Sequence, residues 1–82
     1  MATSDEEVLA TINTLVDEER ALLHTAEQSG LDEGQRQRLH ALQIQLDQCW
    51  DLLRQRRAKR EFGLNPDDAE PRDASTVERY KG

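Results

Sequence analysis

Apolar residues recur at spacings of three and four along two stretches of the chain, and mostly polar residues fill the positions between them. In the first stretch the repeating positions are Leu9, Ile12, Val16, Leu23 and Ala26. In the second stretch they are Leu39, Leu42, Leu46, Cys49 and Leu53. Spacing of this kind places apolar side chains on one face of an α-helix. The pattern therefore predicts two amphipathic helices, over residues 4–28 and 32–62.

Residues typical of helix ends flank both stretches. Ser4 with Glu7, and Asp32 with Gln35, have the spacing of a capping box, in which the first side chain accepts from the backbone of the fourth residue. Gly30 lies between the two stretches, and glycine is favoured directly after a helix C-terminus. A connection this short returns the second helix antiparallel to the first.

We call the ten apolar positions the seam, and pairing them antiparallel gives a test of the turn. Facing residues have numbers that sum to 61 or 62, as for Ile12 with Cys49 and for Val16 with Leu46. The chain must then fold back near residue 31, beside the glycine. This agreement predicts an all-α fold, an antiparallel helical hairpin (αα) over residues 1–63.

The composition changes after residue 63. Residues 64–82 contain both prolines, several acidic residues and few apolar ones, which predicts an extended, partly disordered C-terminal tail. Asn65 before Pro66 favours one helical turn within it. Val77 and Tyr80 lie three positions apart and are placed to dock on the hairpin.

Apolar residues beside the seam predict self-association. They are Val8, Leu15, Leu22, Ile44 and Leu52. One opposing helix does not cover them, so we expect a homodimer in the form of a symmetric four-helix bundle. The tail, or an unrelated protein partner, is the alternative cover for this surface.

Charge divides unevenly between the two predicted helices. The 82-residue chain has a net charge of −6, yet residues 1–30 carry seven acidic residues and one basic residue, while residues 32–62 carry five acidic and seven basic. Extending the register of the seam by one layer places Arg56 opposite Asp5, and Arg60 lies on the same face of the second helix. We therefore expect these two arginines to be neutralised inside the hairpin.

The other basic residues of the stretch 54–60 form the candidate site. Arg54 and Arg57 share a helical stripe with Trp50, and Lys59 is the third basic residue without an expected internal partner. Tryptophan and arginine are enriched at interface hot spots and stack by cation–π contact. The sequence thus predicts a partner-binding site.

Two alternatives to that site stay open. The tryptophan side chain either covers the hairpin edge itself, or is covered by the tail or by a second hairpin. In the second alternative, the basic residues bind nucleic acid or a ribosome instead of a protein partner. The acidic balance and an aromatic content of 4% favour a protein partner over nucleic acid.

The residues that carry chemistry do not assemble into a recognisable catalytic or metal site. His24 and His40 lack closely spaced cysteine or histidine ligands, and Cys49 on the seam is typical of a buried thiol. Glu19 interrupts the seam and is expected to reach out to Arg38 or another arginine. We predict no enzyme, no cofactor and no small-molecule substrate for a chain too short to enclose a large active site.

The N-terminal sequence lacks the basic start and apolar run of a signal peptide, and no segment has the roughly 20 apolar residues of a membrane span. A single cysteine excludes an intramolecular disulfide. We therefore expect a cytoplasmic protein without a membrane partner.

The stretches LATINTLVDEE, LDQCWDLLRQRRAKREFGLNPDDA and STVERY resemble a family of small actinobacterial proteins known only as a domain of unknown function. The resemblance extends over nearly the whole chain, and the central stretch is the specific part. It implies a cytoplasmic bacterial protein of stand-alone size. It implies no activity and no catalytic residues.

Overall fold

A computed structural model describes residues 4–73 of the chain as two long helices joined by a tight turn. Helix α1 spans Asp5–Ser29 and helix α2 spans Glu33–Glu61, and a 3₁₀ turn follows at Pro66–Asp68. The part described contains no β-strand. The two helices pack side by side, so the predicted all-α helical hairpin is confirmed.

The residues that cap the helices act as their spacing predicts. The Ser4 hydroxyl accepts from the backbone N–H of Glu7 at 3.1 Å. Asp32 and Gln35 form a full capping box, with each side chain accepting from the backbone N–H of the other residue. Gly30 ends α1 with a φ of +76°, a conformation that glycine adopts without the steric cost of a Cβ atom.

Two ion pairs between the helices confirm the antiparallel arrangement. Arg56 pairs with Asp5 at the open end of the hairpin, as the register of the seam predicts. Nearer the turn, Arg38 donates to Glu18, so the arginine named first as a partner for Glu19 pairs with the neighbouring glutamate instead. The reason is helical phase, since Glu19 lies on the other flank of the hairpin, where it lines a groove with Trp50.

The core uses a different stripe of α1 from the predicted seam. Leu9 and Leu23, both predicted to be internal, each keep 43% of their surface exposed. The apolar residues that are buried are Val8, Ile12, Leu15, Leu42, Leu46 and Leu52. Positions 8, 12 and 15 satisfy helical spacing as well as positions 9, 12 and 16 do. The structure buries the first set, and Val16 of the second set is partly buried against the same core.

The different core stripe of α1 corrects the basis on which the dimer was predicted. Val8, Leu15 and Leu52 were expected to leave apolar surface beside the seam, but they are core residues of a single hairpin. Leu22 packs against the same core. The apolar surface available to a partner therefore lies on another side of the molecule.

Residues 64–73, which we call the strap, run back along α2 toward the turn. Asn65 caps the 3₁₀ turn, as predicted, by accepting from the backbone N–H of Asp67. Farther along, Gln55 donates to the carbonyl of Glu70 at 2.8 Å, and Gln48 donates to the carbonyl of residue 72 at 3.1 Å. The first half of the predicted tail is thus packed on the hairpin. The expected docking of Val77 and Tyr80 concerns positions outside the described residues.

Candidate functional site

The strap divides the hairpin into a covered side and an open side. On the covered side Pro71 lines a groove together with Leu15, Cys49 and Leu52. On the opposite flank of the helix pair, the grooves beside Trp50 are lined by residues of α1 and α2 alone. We call this second flank the open face.

Apolar side chains run along the α1 half of the open face. Leu9, Val16 and Leu23 recur every seven residues and so lie on one stripe of the helix. Because Thr11 and Leu15 border the groove on the covered side, this stripe lies on the other flank of Ile12. The leucines at both ends of the stripe keep 43% of their surface exposed.

Trp50 is the main side chain on the α2 half of the open face. It is 45% exposed and lines a groove of about 220 Å³ with Leu53, Arg54 and Arg57. The structure therefore brings three of the four predicted site residues together. Residues 64–73 of the tail do not cover the tryptophan, because the strap packs on the other flank, and the rest of the tail lies outside the described residues.

The two arginines beside the tryptophan keep their charge largely available. Arg54 approaches Asp51 only at 4.0 Å, and its side chain is 64% exposed. Arg57 is exposed and forms no ion pair with any residue between positions 4 and 73. A partner with acidic side chains would meet two guanidinium groups next to an aromatic ring.

Lys59, the fourth predicted site residue, lies elsewhere. It follows Trp50 by nine positions, which at 3.6 residues per turn is half a turn around α2. Its backbone carbonyl accepts from Leu64 at 2.7 Å, where the chain turns into the strap. Lys59 therefore points away from the open face and does not form one surface with the two arginines.

The remaining basic residues of the cluster are used within the fold. Arg56 is 6% exposed and binds Asp5, the carboxylate of Asp67 and the carbonyl of Pro66. Arg60 binds the other oxygen of Asp5 at 2.8 Å. Hydrogen bonds from Arg60 and Arg56 lower the pKa of the Asp5 carboxyl. The prediction that these arginines are neutralised inside the hairpin is confirmed, and the contacts with the strap were not predicted.

Asp51 is a buried charge that sequence reasoning missed. It is 3% exposed although it lies on the face of α2 turned away from α1, because the strap covers it. Arg72 of the strap approaches it at 3.2 Å, and Gln55 donates to it at 2.9 Å. An aspartate on the outer face of a predicted helix gives no sequence signal of such burial.

Cys49 lies at the covered side of the hairpin and packs against the core. Burial raises the pKa of its thiol, which disfavours the nucleophilic thiolate near neutral pH. Among residues 4–73 there is no group of three or more histidine, cysteine, aspartate or glutamate side chains placed to hold a metal ion. Within the same range, neither helix is apolar enough over a sufficient length to span a bilayer.

Comparison with known proteins gives the family of the chain. Residues 4–82 match the family described as "Protein of unknown function (DUF2630)", so the chain belongs to this family. It is 49% identical over 80 residues to Uncharacterized protein Rv0898c of Mycobacterium tuberculosis and to Uncharacterized protein Mb0922c of Mycobacterium bovis. Each alignment covers 96% of this chain and 92% of the relative. No solved structure gives a significant match. The resemblance to an actinobacterial family of unknown function is confirmed.

Proposed function

We propose that this member of the DUF2630 family is a non-catalytic protein-interaction module that binds its partner through the open face. The observation that carries the proposal is the position of Trp50. This residue is 45% exposed on the flank that the strap leaves open, next to two exposed arginines. Leu9 and Leu23 extend the same surface along α1.

The chemistry of this surface is typical of an interface. Tryptophan and arginine supply much of the binding energy at protein–protein hot spots, where surrounding apolar contacts exclude water. The open face combines both residue types with an apolar stripe, whereas the covered side is occupied by the strap. A grouped set of exposed apolar residues is a stronger signal of binding than scattered single ones.

Nucleic-acid binding has less support from the same residues. Arg56 and Arg60 are already paired with carboxylates, and Lys59 lies half a turn away from Trp50. Of the stretch 54–60, two exposed guanidinium groups then remain beside Trp50, in a chain with a net charge of −6. Phosphate contacts by so few cations give weak and strongly salt-dependent affinity.

A single aromatic substitution tests the proposed function. We expect Trp50→Ala to weaken association about 30-fold or more, measured as self-association of the pure chain or as capture of a protein in nuclease-treated lysate. Phe62→Ala is the matched control, because Phe62 is 79% exposed but lies at the C-terminal end of α2. Equal effects of both variants, or capture that nuclease abolishes, would contradict the proposal.

A further inference from the structure

We propose that the open face binds a second copy of the chain, with the two-fold axis parallel to the helices and α1 of each subunit packed on α2 of the other. This inference rests on the proposed function, because it names the occupant of the same face. It follows from three features of the hairpin: its two possible symmetric pairings, its division of charge, and the position of unpaired charges along the open face.

A hairpin that packs face to face with its copy has two simple symmetric arrangements. A two-fold axis parallel to the helices places α1 over α2 of the partner subunit. A two-fold axis across the helices instead places α1 over α1 and α2 over α2. Both arrangements bury the same apolar stripe, so apolar contact alone does not choose between them.

Charge distinguishes the two arrangements. Helix α1 carries seven acidic residues and one basic residue, and helix α2 carries four acidic and seven basic residues. The axis parallel to the helices brings helices of opposite net charge together, whereas the other axis brings like charges together. Like-charge contact across an interface disfavours the wrong pairing. The charges therefore favour the arrangement with α1 on α2 of the partner subunit.

The same axis fixes which residues meet. Rotation about this axis leaves each residue at the same position along the helix direction. The numbers of two residues that face each other across the dimer therefore have nearly the same sum as the numbers of Asp5 and Arg56, which face each other within one hairpin. Trp50 then lies over Leu9 of the partner subunit, which is 43% exposed in one hairpin. Arg57 and Arg54 lie near Glu6 of the partner subunit.

The unpaired charges match this geometry. Glu6 is exposed in the first turn of α1 and forms no ion pair within the described part of the chain. Arg57 is likewise exposed and unpaired there. In the proposed dimer these two residues meet twice, once on each side of the axis. An isologous interface of this kind uses each residue of the pair in both subunits.

Charge reversal tests the arrangement because the two contacts are equivalent. Glu6→Arg alone places two arginines together at each contact, and Arg57→Glu alone places two glutamates together. We expect each variant to dimerise at least about fivefold more weakly in sedimentation equilibrium. In an equimolar mixture the heterodimer has one native contact and one reversed contact, both attractive, so we expect wild-type affinity and a predominance of heterodimer in native mass spectrometry.

Two control variants carry the same charge changes on other sides of the hairpin. Glu7→Arg has the same charge change in the same turn of α1, and Lys59→Glu changes a residue half a turn from Trp50. Both controls are expected to dimerise as the wild type does. Equal weakening by the controls, or a mixture that fails to form heterodimers, would overturn the arrangement. A chain that stays monomeric but captures another protein in a Trp50-dependent way would overturn the dimer and leave the proposed function intact.

Discussion

The Nε atom of Arg56 lies 2.5 Å from Oδ1 of Asp5, although 51 positions separate the two residues in sequence. The same guanidinium donates to the carbonyl of Pro66 and to the carboxylate of Asp67, each at 3.1 Å. A planar group with five donors binds several acceptors at once, which a lysine ammonium does less well. One side chain thus joins the start of α1, the end of α2 and the strap.

Loss of this side chain should destabilise the fold. Arg56→Ala leaves the carboxylates of Asp5 and Asp67 without their buried donor, and we expect a loss of about 2 kcal/mol or more in the free energy of unfolding. Urea denaturation followed by circular dichroism measures the change. Arg57→Ala, at low protein concentration, is the control and should change stability by less than about 0.5 kcal/mol. Similar losses in both variants would contradict the role of Arg56.

Acid should weaken the same contact. Because hydrogen bonds from Arg60 and Arg56 lower the pKa of Asp5 in the folded chain, the ionised carboxyl favours folding. The stabilisation by the ionised carboxyl is complete at pH values above the ordinary pKa of an aspartate, and it is lost as the pH falls through the lowered pKa of the folded chain. Between about pH 5 and pH 2 the wild type should therefore lose more stability than Asp5→Asn, measured by urea midpoints at each pH. Parallel pH profiles of the two proteins would rule out this linkage.

The register of the hairpin was predictable because independent signals agreed on it. The capping residues at Asp32 and Gln35, the glycine at position 30 and the repeat of apolar residues all locate the same turn. The contact of Arg56 with Asp5 follows from that register without further information. The sequence predicts this register correctly because each of the signals depends on local chemistry.

The stripe that enters the core was less predictable. Along α1 apolar residues occupy adjacent positions, as at Val8 with Leu9 and at Leu15 with Val16, and both members of each pair fit helical spacing. The choice between them is a rotation of α1 by about 100°. Contacts with α2 and the strap decide that rotation, and neither is encoded in the spacing. The grouping of Trp50, Arg54 and Arg57 does not depend on this choice, because all three residues lie on α2.

Two leucines of α1 test this choice. Leu15 is 8% exposed and Leu9 is 43% exposed, although both are leucines in the same helix. Leu15→Ala should lower the free energy of unfolding by about 2–4 kcal/mol, and Leu9→Ala by less than about 1 kcal/mol at low protein concentration. Thermal and urea denaturation at several concentrations provide the measurement. If Leu9→Ala costs more than Leu15→Ala in dilute solution, the core stripe is the one that spacing first suggested.

The strap escaped prediction because its contacts have no periodic pattern. Backbone carbonyls of the strap accept from Gln48 and Gln55, and any residue supplies such a carbonyl. The burial of Asp51 follows from these contacts and from Arg72, which lies 21 positions away. Local sequence therefore describes Asp51 as a solvated helix residue, and only the folded chain reveals its burial.

Weakening the strap should expose the thiol beneath it. Asp51→Ala removes the carboxylate that binds Arg72 and Gln55, while Pro71 lines the same groove as Cys49. We expect faster alkylation of the thiol by iodoacetamide, at unchanged far-ultraviolet circular dichroism. Burial raises the pKa of Cys49, so wild-type alkylation should be slow near neutral pH. Equal rates in the variant and the wild type would show that the strap does not protect the thiol.

Salt dependence provides the last test, because it separates a protein-binding face from a phosphate-binding one. Arg54 and Arg57 line one groove with Trp50 on the open face, and Lys59 lies about half a turn from Trp50. Two neutralised phosphates give a slope of about −1.8 for the logarithm of affinity against the logarithm of salt on duplex DNA. Fluorescence anisotropy with a labelled duplex should therefore show weak binding with a slope no steeper than about −2, and Lys59→Ala should leave it unchanged. A slope of −3 or steeper in the wild type that becomes shallower in Lys59→Ala would mean that the basic residues act as one nucleic-acid site, although they lie on different sides of α2.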